Sequence, residues 1–114
     1  MNQLRLTPLM PTETNIKQAI RDYLRAKGIH NFHLLQGLGA YAGLPDRMAI
    51  LKGKDGISYT LYIEAKNHKN VQSENQVAFQ QAVEKAGGCY ILARSVDDVI
   101  KVVEAILNGN YKQT

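Results

Sequence analysis

The chain has 114 residues, the length of a single domain, and its 14 basic and 10 acidic side chains give a net charge of +4. Its hydrophobic content of 45% and charged content of 21% are ordinary for a soluble globular protein and argue against extended disorder. We find no apolar run long enough to span a membrane and no secretion signal. The lone Cys89, within an apolar run, fits a buried thiol, so we expect a cytoplasmic protein.

The first predicted element is an amphipathic helix over residues 13–27, preceded by an arm over residues 1–12. Its apolar side chains recur at helical spacing: Ile16, Ile20, Tyr23 and Leu24. Glu13 extends this stripe by one turn, which would place a carboxylate toward the core. The simpler interpretation is that Glu13 stabilises the positive end of the helix dipole.

Three strands are predicted next. A short strand covers residues 31–35, and a loop with three glycines follows over residues 36–43. The other two strands form a hairpin, because Asp55-Gly56 in a glycine-containing linker is a typical hairpin turn.

The second half predicts a strand, a helix and a strand joined by a parallel crossover. After the hairpin comes a helix that begins with the capping box of Ser73 and Gln76, and then a buried strand over residues 89–93. The last helix is capped by Ser95 and ends at Asn108-Gly109. The crossover is parallel and should be right-handed, whereas the hairpin is antiparallel. We therefore predict an α/β domain over residues 13–109, with the order αβββαβα, a mixed sheet flanked by helices, and a tail over residues 110–114.

The hairpin brings two carboxylates and an ammonium together. If it closes symmetrically about Asp55, residues whose numbers sum to 110 face each other, so Asp46 lies opposite Glu64. Lys66 shares a face with Glu64 because strand side chains alternate. At about 5 Å and an effective dielectric near 20, the two carboxylates repel by roughly 3 kcal/mol. A divalent cation bound by oxygen ligands would remove that cost, so the pattern predicts a metal site.

Each part of this pattern has a simpler interpretation when it stands alone. Asp46 follows a proline and could cap a turn, and Glu64 with Lys66 could form a solvated strand face. Their coincidence on one face, at the end of a strand expected to be central, favours a functional site.

These residues resemble a known family. The motif Gly43-Leu44-Pro45-Asp46, then seventeen residues, then Glu64-Ala65-Lys66 is similar to the PD-(D/E)xK nuclease signature. The wider pattern resembles the VRR-NUC branch, the virus-type replication-repair nucleases, over roughly residues 13–105. It comprises Glu13 at the first helix, the glycine-rich loop, Ser73-x-x-Gln76, Gly87-Gly88-Cys89-Tyr90 and Ser95-Val96-Asp97-Asp98-Val99.

The resemblance implies a restriction-endonuclease-like core with a Mg²⁺ or Mn²⁺ ion. The direct ligands of the metal would be Asp46, Glu64 and the Ala65 carbonyl. Lys66 would position or polarise the attacking water, and Glu13 would complete the acidic cluster, directly or through a water. Gln76 would support the site, although its place in the capping box explains it nearly as well. Hard oxygen ligands suit these ions, and the sequence has no Cys/His cluster for zinc.

Basic and aromatic side chains are candidates for DNA binding. The first group surrounds the hairpin and the exit from its second strand: Lys52, Lys54, His68 and Lys69. A second group forms a ridge on the first helix, opposite the apolar stripe, and is more simply a solvated face: Lys17, Arg21 and Arg25. Tyr41 in the glycine-rich loop could stack on an unpaired base. His30 and His33 have no partner at useful spacing and receive no role.

We therefore expect a structure-selective DNA endonuclease of the VRR-NUC type. Stand-alone members resemble phage enzymes that act on branched DNA, so a phage-encoded chain would work in the host cytoplasm. A four-way junction is nearly two-fold symmetric, so cutting it symmetrically needs two active sites, which a homodimer supplies. The predicted dimer surfaces are the last helix and the arm with Leu4, Leu6, Leu9 and Met10. Two alternatives stay open: a branched-DNA-binding module that does not cut, and an α/β domain whose acids are only structural.

Overall fold

The computed structural model describes residues 10–112, and within them the chain forms three helices and four strands. In chain order these are α1 (Glu13–Ala26), β1 (His30–His33), β2 (Arg47–Lys52), β3 (Ser58–Ala65), α2 (Glu74–Lys85), β4 (Cys89–Ala93) and α3 (Val96–Asn108). The predicted order of elements and the α/β class are confirmed. Most of the predicted arm, with Leu4, Leu6 and Leu9, lies outside the described residues, as do the last two residues of the predicted tail.

The four strands form one sheet in the order β1-β2-β3-β4. β2 is antiparallel to both β1 and β3, whereas β3 and β4 are parallel. The sheet is therefore mixed and β3 is a central strand, as predicted. The paired residues of β2 and β3 run from Arg47↔Ile63 to Lys52↔Ser58, so their numbers sum to 110. The predicted symmetry of the hairpin about Asp55 is therefore confirmed.

β1 begins and ends earlier than the sequence predicts. It covers His30–His33 instead of residues 31–35. A strand can pair only as far as its neighbour extends, and His33 faces Arg47, the first residue of β2. One further backbone hydrogen bond, of 2.8 Å from the Leu34 N–H to the carbonyl oxygen of Asp46, follows His33 before the chain enters the glycine-rich loop.

One face of the sheet carries the closed hydrophobic core, beneath α1 and α3. The buried helical side chains are Ile16, Ile20 and Leu24 of α1 and Val99, Val103 and Ile106 of α3. They meet the buried odd-numbered side chains of the strands, which include Ala49, Leu61, Ile63 and Ile91. Each fully buried aliphatic side chain of this size contributes about 1.5–3 kcal/mol relative to exposure. The apolar stripe of α3 is thus buried within the chain, so it is not available as the predicted dimer surface.

Within residues 10–112, α2 is the helix on the other face of the sheet. None of the residues of α2 is buried. Instead, the half-buried ring of Phe79 lies against the rings of Tyr41, Tyr62 and Tyr90, with centroids 6.0, 5.4 and 6.3 Å away. The pairs with Tyr41 and Tyr62 are edge-to-face, and such contacts add about 0.5–1.5 kcal/mol each beyond the buried area. α2 therefore rests on an aromatic group, and this face stays open around it.

The helix termini agree only partly with their sequence signals. Thr12 caps α1 through a capping box with Asn15 that the sequence analysis missed. Ser95 occupies the N-cap of α3, but its side chain makes no cap hydrogen bond. Instead, Asp98 Oδ2 accepts a hydrogen bond of 2.8 Å from the backbone of Arg94. No helix among residues 10–112 has both the length and the apolar character that a membrane crossing needs.

The end of the glycine-rich loop is fixed against the start of α2. Gly43 has φ +84°, and a Cβ at this position would lie 2.2 Å from the backbone oxygen of Asn75. Gln36 Nε2 donates to the carbonyl oxygens of Leu44 and Pro45, at 2.8 and 3.1 Å. These contacts fix the backbone that leads directly into Asp46.

Replacing Gly43 with alanine should therefore disrupt the approach of the loop to α2. A positive φ costs an L-residue roughly 1–2 kcal/mol, and the clash with Asn75 adds to that cost. The matched control is Gly39→Ala, because Gly39 has φ +86° but nothing within 4 Å of a Cβ. In urea unfolding, Gly43→Ala should lose more stability than Gly39→Ala. Equal losses would mean that the close approach to α2 does not contribute.

Candidate active site

Asp46 lies one residue before β2 and bonds to the end of β3. Its backbone N–H donates to the carbonyl oxygen of Ile63 at 3.0 Å. Its Oδ2 accepts a hydrogen bond of 2.7 Å from the backbone N–H of Ala65. The bond to Ile63 is one residue out of the β2–β3 register, so Asp46 lies just beyond the regular pairing, beside the end of β3, and its carboxylate is oriented by the backbone of that strand.

Glu64 is the one charged residue that is buried in the described part of the chain, at 2% exposure. Its Oε2 accepts a hydrogen bond of 3.1 Å from Gln76 Nε2. Its Oε1 is buried with no hydrogen-bond partner among residues 10–112. Burial, followed by the negative charge of Asp46, raises the pKa of Glu64 to about 7. This carboxylate is held in an environment that disfavours its charge.

An ammonium group accompanies each carboxylate. Lys66 Nζ lies 3.6 Å from Glu64 Oε2, and Lys17 Nζ lies 3.4 Å from Asp46 Oδ1. Lys66 is positioned by the sheet, because its backbone N–H extends the β3–β4 pairing to the carbonyl oxygen of Ala93 at 3.0 Å. The predicted grouping of Asp46, Glu64 and Lys66 is present, and Lys17 adds a second positive charge.

The sequence analysis placed Lys17 on the wrong part of α1. We described it as opposite the apolar stripe, within a solvated ridge. At about 100° per residue, however, Lys17 lies beside the stripe that Ile16 and Ile20 form, on its flank. The side chain therefore reaches past the end of the sheet to Asp46. Counting positions around the helix, instead of along one ridge, would have found it.

Glu13 lies near the two lysines but is held apart by its own hydrogen bond. Its Oε2 accepts a hydrogen bond of 2.5 Å from Asn70 Nδ2. This bond and the charges of Lys66 and Lys17 lower the pKa of Glu13, against a smaller effect of burial. No three His, Cys, Asp or Glu side chains within residues 10–112 converge on one point that could hold a metal. The structure thus does not bring Glu13 into the acidic cluster that the resemblance implied.

The loop after Lys66 is fastened by residues that the sequence analysis missed. Arg94 Nη1 donates to the carbonyl oxygens of Asn67 and Asn70, at 2.6 and 2.5 Å. Asn67 Oδ1 accepts from the backbone N–H groups of Lys69 and Asn70, both at 3.0 Å. Asn67 is typical of a turn and was visible in the sequence. Arg94 joins the loop across 24 or more residues, and no local pattern indicates it.

Gln76 has both of the roles that the sequence left open. Its Oε1 accepts a hydrogen bond of 2.9 Å from the backbone of Ser73, and its backbone N–H donates to Ser73 Oγ at 3.2 Å. Its Nε2 donates to Glu64. One amide group therefore caps α2 and also orients the buried carboxylate.

The donor atoms of the site fit a hard divalent cation. Asp46 and Glu64 supply carboxylate oxygens, and Glu64 Oε1 has an unused acceptor position in a buried environment. An unsatisfied buried acceptor costs about 1–3 kcal/mol, more when it is charged, and a bound cation would satisfy it. The carbonyl of Ala65 would be the third ligand. Oxygen ligands of this kind suit Mg²⁺ or Mn²⁺.

The four basic residues predicted around the hairpin do not form one group. Lys52 and Lys54 lie at the turn, about 20 Å along β2 from Asp46, because a strand advances about 3.3 Å per residue. His68 and Lys69 are exposed in the loop after Lys66, at the end that carries the carboxylates. The turn and the exit of the second strand are at opposite ends of a hairpin, which the sequence analysis overlooked. Tyr41 is 73% exposed on the glycine-rich loop.

No family model matches the chain, and no curated protein matches it. Several solved structures are similar to it, including the following two. One, a "VRR_NUC domain protein", is 22% identical and covers 93% of this chain and 100% of its own, with a TM-score of 0.67. The other, a "VRR_NUC domain", is 21% identical and covers 82% of this chain and 97% of its own, with a TM-score of 0.64. The chain has the VRR-NUC fold. The resemblance of the sequence is thus confirmed at the level of the fold, an α/β domain.

Within this VRR-NUC fold, the raised pKa of Glu64 makes a prediction about stability. Folding favours the protonated form of Glu64. The contribution of Glu64 to the free energy of unfolding therefore falls as pH rises from about 4.5 to about 7. In the absence of divalent cations, the Glu64→Gln variant should gain up to about 3 kcal/mol relative to wild type over this range. Urea unfolding in a chelator, at about pH 5 and about pH 8, measures the difference.

Glu74→Gln is the matched control for this measurement. Glu74 is exposed in the first turn of α2, so the variant removes a surface carboxylate with the same change in side chain. If both variants show the same dependence on pH, Glu64 is not the group responsible. A dependence of the opposite sign would mean that Glu64 is stabilised as a carboxylate.

Proposed function

We propose that the chain is a VRR-NUC nuclease that hydrolyses phosphodiester bonds of DNA and depends on Mg²⁺ or Mn²⁺. One observation carries this proposal. Glu64 is buried at the end of a central strand, near Asp46, with one oxygen unpartnered among the described residues. A carboxylate with a purely structural role would be expected to have both oxygens satisfied.

The residues around the scissile phosphate would each have a separate role in the reaction. A cation held by Asp46, Glu64 and the Ala65 carbonyl supplies positive charge where negative charge develops on the phosphate. Lys66 has three N–H donors and makes one long contact with Glu64, so it retains donors for the attacking water and a phosphate oxygen. The Ala65 N–H and the Gln76 amide keep both carboxylates in place, so little reorganisation is needed when DNA binds.

We further propose that the preferred substrate is branched DNA, and that a homodimer resolves four-way junctions. A junction offers two equivalent strands related by near two-fold symmetry, which matches the two sites of a dimer. The exposed ring of Tyr41 supports a preference for branches, because an unpaired base can stack on it. Unbranched duplex DNA would offer no unpaired base.

Single substitutions at the site should abolish cleavage without abolishing binding. Asp46→Asn, Glu64→Gln and Lys66→Ala should each lower the rate with Mg²⁺ by about 100-fold or more, because each removes charge from the reacting centre. The measurement is single-turnover cleavage of labelled four-way, flap and linear DNA. Glu74→Gln is the control and should cut at the rate of wild type.

The same assay tests the finer parts of the proposal. Faster cutting of the four-way junction supports junction resolution, whereas equal cutting of linear duplex rejects it and leaves the nuclease. Cleavage by a chain that sediments as a monomer at the assay concentration rejects the dimer. Full activity of all three variants rejects the site.

The two contacts of Gln76 can be separated by comparing two variants. Ser73→Ala removes the side-chain cap and should lower stability by roughly 0.5–2 kcal/mol while cleavage persists. Gln76→Ala also removes the donor to Glu64, so it should lower the cleavage rate as well. Thermal unfolding and cleavage rates, measured on both variants, compare the two effects. If both variants cut equally, the contact with Glu64 has no role in the reaction.

A second function is favoured by one feature of the site. Each carboxylate already has an ammonium nearby, Lys17 for Asp46 and Lys66 for Glu64, so the charges are offset without a metal. This arrangement would suit a branched-DNA-binding module that does not cut. Such a module would bind junctions equally well with Mg²⁺ and with a chelator, and would give no product.

A further inference from the structure

A second set of positive charges lies beside the carboxylates, between α1 and β2. Arg47 is the first residue of β2, and its side chain is half-buried beneath α1. Its Nη1 donates to Asn31 Oδ1 at 2.6 Å. Burial, followed by the positive charges of Arg21 and Arg25, lowers its pKa. We call Arg21, Arg25 and Arg47 the arginine group.

The arginine group has too few anionic partners in the described structure. Within residues 10–112, neither Arg25 nor Arg47 forms an ion pair. Arg21 Nε lies 3.7 Å from Asp22 Oδ1, and this buried nitrogen has no hydrogen-bond partner among the described residues. Three guanidinium groups therefore repel one another with donors to spare, which an anion between them would relieve.

A cavity lies next to this group. It has a volume of about 280 Å³ and is lined by Lys17, His33, Leu34, Leu35, Gln36, Asp46 and Arg47. Asp46 and Arg47 are adjacent in sequence, so one wall of the cavity belongs to the carboxylate site and another to the arginine group. Its size and mixed lining suit a sugar-phosphate unit, with apolar contacts from Leu34 and Leu35.

We propose that the arginine group binds the DNA backbone at the phosphates next to the one that is cut. The inference rests on the proposed function, because it takes the Asp46 side of the cavity as the place of cleavage. A planar guanidinium matches two oxygens of a phosphate, which makes arginine well suited to this ligand. The spacing of Arg21 and Arg25 by one helical turn lets the backbone follow α1 away from the site.

The position of the arginine group distinguishes it from the other basic residues. Lys52 and Lys54 lie about 20 Å from Asp46, at the turn of the hairpin. In the arginine group, Arg47 adjoins Asp46 in the chain, and Arg21 and Arg25 lie about one and two helical turns beyond Lys17, which contacts Asp46. A strand placed for cleavage would therefore contact the arginine group in every complex, whereas it need not extend to the turn.

The test is the salt dependence of DNA binding, measured with a chelator present so that no DNA is cut. Each phosphate contact contributes about 0.9 to the slope of log K against log salt concentration. The double variant Arg21→Ala/Arg25→Ala should lower this slope by about 1–2 and weaken binding at low salt. Alanine is a good helix former, so α1 should persist, and circular dichroism checks that it does.

Two matched variants define what the result means. Lys52→Ala/Lys54→Ala removes the same charge at the far end of β2 and should change the slope less. Arg21→Lys/Arg25→Lys keeps the charge and should keep most of the slope. An unchanged slope in the double alanine variant overturns the proposal. Equal losses in the two double alanine variants overturn it too, because net charge alone would then explain binding.

Cleavage with Mg²⁺ separates this inference from the proposed function. If wild type cuts DNA and the double alanine variant keeps the wild-type slope, the inference alone fails. If the wild-type protein does not cut DNA, the proposed function fails. The claim that the arginine group binds phosphates next to a cleaved one then fails with it. If the wild-type protein cuts DNA and the salt-dependence slope falls only in Arg21→Ala/Arg25→Ala, the proposed function and this inference are both supported.

Discussion

The pairing of β2 with β3 is the constraint on which the site depends. Gly53 and Ile57 close the hairpin through a backbone hydrogen bond of 2.8 Å, and Asp55 Oδ1 accepts from the backbone of Ile57 at 3.0 Å. Gly56 adopts φ +82°, which other residues rarely do. A slip of one residue would move Glu64 to the opposite face, under α1 and α3, and away from Gln76. The turn therefore determines, from about 20 Å away, whether the two carboxylates meet.

Much of this arrangement could be predicted because its causes are local. Helical spacing, capping residues and glycines indicated all seven elements, and the Asp55-Gly56 turn gave the register that brings Asp46 near Glu64. β4 was predicted at its observed bounds, Cys89–Ala93, because both of its faces are covered and its residues are uniformly apolar. The Ser73–Gln76 capping box was equally visible, since its bonds join residues three positions apart.

What could not be predicted involves contacts between distant parts of the chain. Arg94 fastens the loop at Asn67 and Asn70, and the side chain of Asn70 in turn donates a hydrogen bond to Glu13. These hydrogen bonds depend on how β4 and α1 are arranged around the end of the sheet, which no local spacing contains. The packing of α2 depends on the arrangement of distant parts of the chain in the same way. Its apolar residues have helical spacing, but whether they are buried depends on what covers that face of the sheet.

The two faces of the sheet explain how the fold accommodates a buried carboxylate. Glu64 is destabilising in its charged form, since burial and Asp46 both oppose its ionisation. The residues that provide most of the hydrophobic stabilisation lie on the other face of the sheet, beneath α1 and α3. Lys17 and Lys66 offset both carboxylates, so the site can form before any cation binds. Since stability and the site reside on separate faces, the open face can keep unsatisfied oxygens and exposed aromatic rings, which a closed core would exclude.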